Sequence, residues 1–196
     1  IWSAAQLRVW HNPLSWIPEE ESIRQAFDAI DQNVGGTANV QLLIRGKPGD
    51  GLGSGMRDLE TLQALEKIES DIKSFEHPIE GKIMGTSISV LDVVKESNRA
   101  LRSGTEEDYR LPSDDRGVAD MLFMFENAGP EEIAQLASRD LNTSQMTVQI
   151  KWLEASEFRQ LTPFIDESIE AHVPEGVVIK PTGAVYTLVS TIGNLL

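Results

Sequence analysis

The glycine residues, the histidines and the carboxylate side chains are the groups of this chain whose spacing could form a binding or catalytic site. The run from Lys47 to Gly55 has glycine at alternate positions, and it lies between a predicted strand and a predicted helix, where phosphates often bind. No Gly-Lys-Ser or Gly-Lys-Thr follows it, and neither Gly49 nor Gly51 begins a Gly-x-Gly-x-x-Gly series. We therefore interpret the run as a mobile loop rather than as a nucleotide site.

The three histidines give no sign of a metal site. His11, His77 and His172 are far apart, and no second histidine lies three or four residues from any of them, as a helical ligand pair would require. His77 and His172 fall near the ends of predicted helices, where a positive charge favours the helix dipole. We expect these two residues to cap helices, and we expect no metal or cofactor.

The carboxylates likewise form no recognisable catalytic group. Residues 106–108 and 114–115 are acidic, but both runs lie in turn-like sequence and lack the Asp-x-Asp-x-Asp-Gly calcium pattern. The chain has no cysteine and no Gly-x-Ser-x-Gly nucleophile motif. We therefore expect a protein that is not an enzyme.

Composition further narrows the class of protein to which the chain could belong. The 196 residues carry 31 acidic and 17 basic side chains, a formal net charge of -14. The lysines and arginines do not cluster, so binding to nucleic acid or to an anionic membrane through a basic face is disfavoured. A hydrophobic content of 40% fits one globular domain with an insertion.

Hydrophobic periodicity locates the elements that would position any site. The first half predicts a helix after residues 19–21 with Ile23, Phe27 and Ile30 on one face, and then a strand over 39–45. A second helix has an apolar stripe from Leu59 to Phe75, and a short strand is predicted over 81–87. The middle third reads as helical.

The last third predicts a strand, a helix and a strand. Residues 145–152 alternate between apolar and polar side chains, as in a half-buried strand. In the helix that follows, Pro163 indicates either a kink or the true start of the helix with Thr162 as N-cap. A final strand is predicted over 176–180.

The element order, without the middle helices, is strand, helix, strand, strand, helix, strand. This order predicts an α+β fold with a ferredoxin-like split βαβ core. Residues 1–36 would form an extended segment and a helix, 37–183 the ferredoxin-like domain with a helical insertion at about 88–140, and 184–196 a terminal helix. That terminal stretch has no charged residue and ends within a helical pattern, so we expect a piece of a longer protein.

One short apolar run is a candidate contact surface. Met121, Phe123, Met124 and Phe125 lie in a predicted helix, where they could pack in a core or face an oily ligand.

Several segments resemble, in order, one family of bacterial exporters. The opening segment His11-Asn12-Pro13-Leu14-Ser15-Trp16-Ile17-Pro18-Glu19 is similar to the "HNPLSWFPE" motif that follows the first membrane helix in the resistance–nodulation–division superfamily, in its branch of hydrophobe exporters related to the mycobacterial large membrane proteins. Further similar segments are residues 31–37, 89–95, 109–112, 121–129, 146–151 and 181–183.

The resemblance implies an extracytoplasmic domain between the first and second membrane helices of a proton-driven exporter. Such a domain would lie on the periplasmic side of the bacterial inner membrane and capture hydrophobic or lipid-like substrates. It would share its binding surface with a second periplasmic domain of the same full-length chain, and the full-length protein would form a homo-oligomer. The acidic proton relay of the family lies in membrane helices that this sequence does not include, so no catalytic residue is implied.

Two other functions are compatible with the residues. A stand-alone ferredoxin-like domain could sense a small ligand and report through its C-terminal helix. An acid–base hydrolase would require two carboxylates that share a cleft and have separated pKa values.

Overall fold

A four-stranded antiparallel sheet organises the molecule. The structure, a computed structural model, describes residues 16–33, 35–153 and 157–193. Its main strands are β1 (Ala38–Arg45), β4 (Met84–Ile88), β5 (Thr143–Ile150) and β6 (Val178–Thr182), in the spatial order β4-β5-β1-β6. Two short strands, β2 (Glu76–His77) and β3 (Gly81–Lys82), form a separate hairpin.

The described residues form seven α-helices in addition to these strands. They are α1 (Ser22–Asn33), α2 (Leu59–Ser74), α3 (Val90–Leu101), α4 (Asp115–Ala128), α5 (Pro130–Ile133), α6 (Phe158–His172) and α7 (Ala184–Gly193). None of the helices in the described part of the chain combines the length and the apolar content that crossing a bilayer requires.

The predicted fold class is correct. The strand, helix, strand, strand, helix, strand order is provided by β1, α2, β4, β5, α6 and β6. Among these four strands the fourth lies beside the first, followed by the third and the second, which is the ferredoxin-like arrangement. Helices α3, α4 and α5 are inserted between β4 and β5, as the sequence predicts.

The core lies between one face of the sheet and the helices. Side chains alternate along β1 and β5, so every second residue is buried, as expected where a sheet is covered on one side only. Leu42 and Val148 from these strands join Leu65 of α2 and Ile165 of α6 in one hydrophobic cluster. The same cluster includes Leu122 of α4, so the insertion shares the core of the domain.

Hydrogen bonds also hold the first part of the insertion together. Ser89 and Asp92 form a capping box at the start of α3, and the Tyr109 hydroxyl donates to Asp92 Oδ1 at 3.0 Å. The buried Asn98 amide donates to the carbonyl oxygens of Asp108 and Arg110, both at 3.0 Å. These bonds fix the acidic segment between α3 and α4 against α3.

Two prolines lie inside elements that continue past them. Helix α6 begins at Phe158 and contains Pro163, so of the two alternatives the helix that includes the proline is correct, and the start at Pro163 with Thr162 as N-cap is wrong. Burial of Phe158 and Leu161 offsets the hydrogen bond that the proline removes. Strand β6 extends to Thr182 through Pro181, and an edge strand tolerates a residue without an N–H.

Two hydrogen bonds hold the C-terminal end of helix α1. Asp31 Oδ1 accepts hydrogen bonds from the backbone N–H and the hydroxyl of Thr37, at 2.7 and 2.8 Å. None of the described side chains of α1 is buried. The predicted extended segment before this helix lies largely outside the described residues, as do His11 and the first five residues of the exporter-like opening motif.

Candidate functional site

In the part of the chain that the structure describes, no helix packs on the face of the sheet opposite the core. We call it the open face, formed by the outward side chains of the four strands: Asn39, Gln41, Leu43, Arg45, Thr86, Ile88, Thr143, Gln145, Thr147, Gln149, Val178, Lys180 and Thr182. The Thr86 hydroxyl donates to Gln149 Oε1 at 2.7 Å across this face. Most of its side chains are amides or hydroxyls, which is typical of the exposed side of an antiparallel sheet.

A small group of apolar and basic side chains interrupts this polar face. Leu43 is opposite Lys180, and Arg45 is opposite Val178, in the pairing of β1 with β6. Leu43 and Val178 remain 50% and 45% exposed. Together with Thr143 these four side chains line a cavity of about 330 Å³, a size within the range of small-molecule sites.

A second cavity adjoins the first on the side of β5. The segment 134–138 runs beside the start of β5, where Leu136 O accepts from the backbone N–H of Gln145 at 2.9 Å. This segment, Leu43 and Thr143 contribute to a crevice of about 340 Å³. Leu43 and Thr143 line both cavities, so the two spaces adjoin one another, and we call the pair, which spans β6, β1 and β5, the groove.

The electrostatic character of the groove differs from that of the whole chain. The open face includes no aspartate or glutamate, although the chain has 31 acidic residues. Among the described residues, neither Arg45 nor Lys180 has an ion-pair partner within 4.0 Å. Two unpaired cations therefore flank exposed apolar surface.

The candidate contact residues predicted from the sequence lie elsewhere, on α4, and they divide between two sides. Phe123 and Met124 are 66% and 45% exposed. Met121 and Phe125 are partly buried and pack against the core, since residues four apart share a helix face. The helix therefore presents two of the four predicted side chains to solvent, as an apolar patch on the insertion.

A third candidate region is a polar cleft of about 360 Å³ lined by α2, α3 and Tyr109. The side-chain cations of Lys95 and Arg99 each lie 5.6 Å from the centroid of the Tyr109 ring. Lys95 also pairs with Glu66 at 2.5 Å. Burial and the nearby Asp92 carboxylate raise the pKa of the Tyr109 hydroxyl, so it is a neutral hydrogen-bond donor at neutral pH.

Glu69 occupies the floor of this cleft and is almost fully buried. Its Oε1 pairs with Lys73 at 2.5 Å and accepts a hydrogen bond from the Ser87 hydroxyl. A buried carboxylate requires such partners. The charged groups of the cleft are thus paired with one another, in contrast to those of the open face.

The histidines have structural roles, one of which differs from the predicted one. His172 ends α6, as expected, and its Nε2 lies 3.0 Å from Asp71 Oδ2. His77 caps no helix, because α2 ends at Ser74 and His77 lies in β2. Its Nδ1 accepts from the backbone N–H groups of Ile79 and Glu80, at 3.4 and 3.2 Å. No group of three or more potential metal ligands occurs within the described ranges.

Two residues of the acidic runs, Asp114 and Asp115, accept hydrogen bonds from backbone N–H groups. Asp114 is the N-cap of α4 and accepts from the Gly117 N–H at 2.7 Å, while Asp115 Oδ1 accepts from the Leu59 N–H at 2.8 Å. The base of the glycine run is tied down as well, because Lys47 pairs with Asp58 and Glu60 at 3.1 and 2.5 Å. The hydrogen bond that Lys47 donates to the Glu60 carboxylate is the main reason that the pKa of Lys47 is raised.

Sequence reasoning missed the groove on the open face. One signal was present, since Leu42, Leu43 and Ile44 are consecutive apolar residues in a strand, and in a strand adjacent side chains point to opposite faces. One of the three therefore had to point away from the core. That Arg45, Val178 and Lys180 surround it follows from strand pairing, which the sequence pattern does not specify.

No protein-family model matches the chain, and no curated protein sequence matches it.

Proposed function

We propose that this chain is the periplasmic substrate-capture domain of a proton-driven exporter of lipids or other hydrophobic or amphipathic molecules, of the resistance–nodulation–division superfamily. The full-length protein would form a homo-oligomer in the bacterial inner membrane, and a second periplasmic domain of the same chain would face this one. The observation that carries the proposal is a ferredoxin-like sheet whose open face has exposed leucine and valine side chains beside a groove.

The open face supports substrate capture because it leaves apolar surface in contact with water. Leu43 and Val178 occupy outward positions of their strands and are about half exposed, whereas most other outward side chains of the sheet are polar. Covering such side chains with a hydrophobic molecule yields about 25 cal/mol per Å² of apolar surface removed from water. A bound hydrophobe would therefore be stabilised here without any change in the core.

The exporter-like segments support the proposal in a second way, because residues of these segments form hydrogen bonds with one another. Asp92, in the segment 89–95, accepts the hydrogen bond of Tyr109, in the segment 109–112. Asp31 and Thr37, in the segment 31–37, are joined by two hydrogen bonds. The resemblance thus concerns residues that hold the fold together, which favours a shared fold rather than isolated short matches.

Cell fractionation tests the proposed location. An antibody raised against the 196-residue chain would be used to probe membrane and soluble fractions of the source cells. We expect a band several times larger than 21.7 kDa, confined to the inner-membrane fraction. A band near 21.7 kDa in the soluble fraction would end the exporter proposal.

Binding of a fluorescent hydrophobe, 1-N-phenylnaphthylamine, tests the proposed surface. We expect Leu43→Asp to weaken binding by at least about fivefold, because loss of exposed apolar area at a binding site costs about 1 kcal/mol or more. Leu52→Asp is the matched control, since Leu52 is an exposed leucine in the glycine run. Equal affinity of the two variants would contradict a role for the open face.

A stand-alone small-ligand sensor is the second candidate, and the polar cleft beside Tyr109 favours it. The cleft has the volume of a small-molecule site and charges of both signs. A signal could leave through α6, whose Asp166 and Thr162 accept hydrogen bonds from Tyr186 of α7. The fractionation experiment separates the two candidates, because a sensor of this size would give the small band.

A further inference from the structure

The groove on the open face combines two kinds of side chain in a fixed pattern. On β1, Leu43 precedes Arg45 on the same face, and on β6 their partners are Lys180 and Val178. Apolar and basic side chains therefore alternate at the corners of a small square. Directly opposed residues lie about 5 Å apart and diagonal ones about 7–8 Å, so the two cations can reach one anionic group while both apolar side chains remain beside it.

The surroundings make this square selective for negative charge. No carboxylate belongs to the open face, and neither cation has an ion-pair partner among the residues that the structure describes. In a chain of net charge -14, most anions are repelled by the rest of the surface. Partial enclosure in a cavity strengthens the local interaction relative to open water, so Arg45 and Lys180 provide a local attraction.

The adjoining crevice continues the apolar part of the groove. From Leu43 it extends across β5 to the segment 134–138, which contributes Ala134, Leu136 and Ala137. Strand spacing of about 4.8 Å places this segment about 14 Å from β6. A ligand with a charged head at β6 could therefore extend an alkyl chain of about that length over Leu43 and into the crevice.

We infer that the groove binds single-chain amphiphiles with an anionic head group, such as long-chain carboxylates. The head group lies between Arg45 and Lys180, and the alkyl chain covers Val178 and Leu43 and enters the crevice beside 134–138. This inference deepens the proposed capture function, on which it rests for the hydrophobic class of the substrate, by adding the sign of the head-group charge.

Titrations followed by amide chemical shifts test this inference on the 196-residue chain. The probes are dodecanoate and dodecyltrimethylammonium, which share an alkyl chain and differ in the sign of the head group. We expect dodecanoate to shift the amides of β1, β5 and β6 around Leu43, and to bind at least about tenfold more tightly than the cationic probe. Favourable charge pairs in a partly enclosed site account for a difference of this size.

Variants without the two positive charges provide a second test of the inference. The double variant Arg45→Gln, Lys180→Gln is expected to lower dodecanoate affinity at least about tenfold and to leave the cationic probe unchanged or slightly tighter. The matched control is Lys67→Gln with Arg116→Gln, which removes the same charge from exposed positions on α2 and α4. The control is expected to change affinity by less than about twofold.

Three outcomes would overturn the inference. They are equal affinity for the two probes, equal loss in the two double variants, and shifts centred on Phe123 and Met124 instead of the sheet. If 1-N-phenylnaphthylamine binds but the two probes bind equally, the head-group inference is wrong and the proposed capture function is not contradicted. If fractionation gives a small soluble band, the capture function is contradicted and the binding result is not affected. Circular dichroism melting curves establish that each variant is folded.

Discussion

At the scale of single residues, Glu80 and Lys151 form an ion pair that joins the β2–β3 turn to the end of β5. Lys151 Nζ lies 2.5 Å from Glu80 Oε2. This hydrogen bond and the lysine charge lower the pKa of Glu80 below the usual value of 4.5. Because the folded-state pKa is lowered, the stabilising contribution is present above pH 4.5 and is lost as the pH falls through the lowered value.

An NMR titration of the Glu80 side chain checks this effect. In the unmodified chain we expect a midpoint below 4.5, and in Lys151→Gln a midpoint near 4.5. Lys82→Gln is the control, because Lys82 is an exposed lysine of the same hairpin and takes no part in the pair. A midpoint that stays the same in Lys151→Gln would contradict the assignment of the shift to this lysine.

Single residues also mark the limit of what the sequence could predict about the site. The outward position of Leu43 is implied by three consecutive apolar residues in β1. The position of Lys180 is not implied by the sequence, because the predicted strand ends at residue 180 whereas the observed strand continues through Pro181 to Thr182. Strand pairing, a contact between residues more than 130 positions apart, brings the two side chains together.

At the scale of elements, the junction between α1 and β1 depends on close backbone contact. Gly36 has φ +134°, and a Cβ at this position would overlap the backbone of Ile150 at the end of β5. The neighbouring Gly35, with φ +100°, would place a Cβ 2.5 Å from the Cα of Gly85 in β4. Only glycine allows the chain to pass this closely over the sheet.

Gly36→Ala tests this junction. We expect the substitution to lower the free energy of unfolding by at least about 2 kcal/mol, since it adds both backbone strain and a steric overlap. Gly51→Ala is the matched control, because a Cβ there meets no atom within 4 Å, and we expect a change within about 0.5 kcal/mol. Urea unfolding followed by circular dichroism measures both values. Similar midpoints for the two variants would show that the junction can relax.

Elements with a strong periodic pattern were predicted well, and those shaped by long-range contacts were not. Helix α2 begins at Leu59, where the predicted apolar stripe starts, and ends at Ser74, one residue before the last member of that stripe, Phe75, because such a stripe is a local signal. The sequence left the start of α6 open between a helix that contains Pro163 and one that begins there. Burial of Phe158 in the core, a long-range effect, offsets the hydrogen bond that the proline removes and decides for the first alternative.

At the scale of the whole molecule, element order was enough to predict the sheet. Each βαβ unit must return to the same sheet with its helix on one face, so the predicted order of strands and helices left few arrangements for four strands. The same reasoning implies that one face of the sheet has no helix. It does not imply which side chains occupy that face, because that depends on the register of β1 with β6.

The uneven burial across the molecule predicts an uneven stability. Strands β1 and β5 lie in the middle of the sheet, and their inward residues Val40, Leu42, Met146 and Val148 are fully buried. Helix α1 buries none of its described side chains, and Ile23 and Ile30 on its apolar side are exposed. Local opening costs little where few apolar contacts are lost, and it approaches the global free energy in the core.

Native-state hydrogen exchange measures this difference directly. We expect α1 amides to exchange at least about 100-fold faster than those of β1 and β5, because α1 can unfold without exposing the core. Gly36→Ala should accelerate α1 further, whereas Gly51→Ala should not. Equal protection of α1 and the sheet at low protein concentration would contradict the argument. Protection of α1 that rises with concentration would instead show that a second copy of the chain covers Ile23 and Ile30, because association stabilises only the surface that it buries.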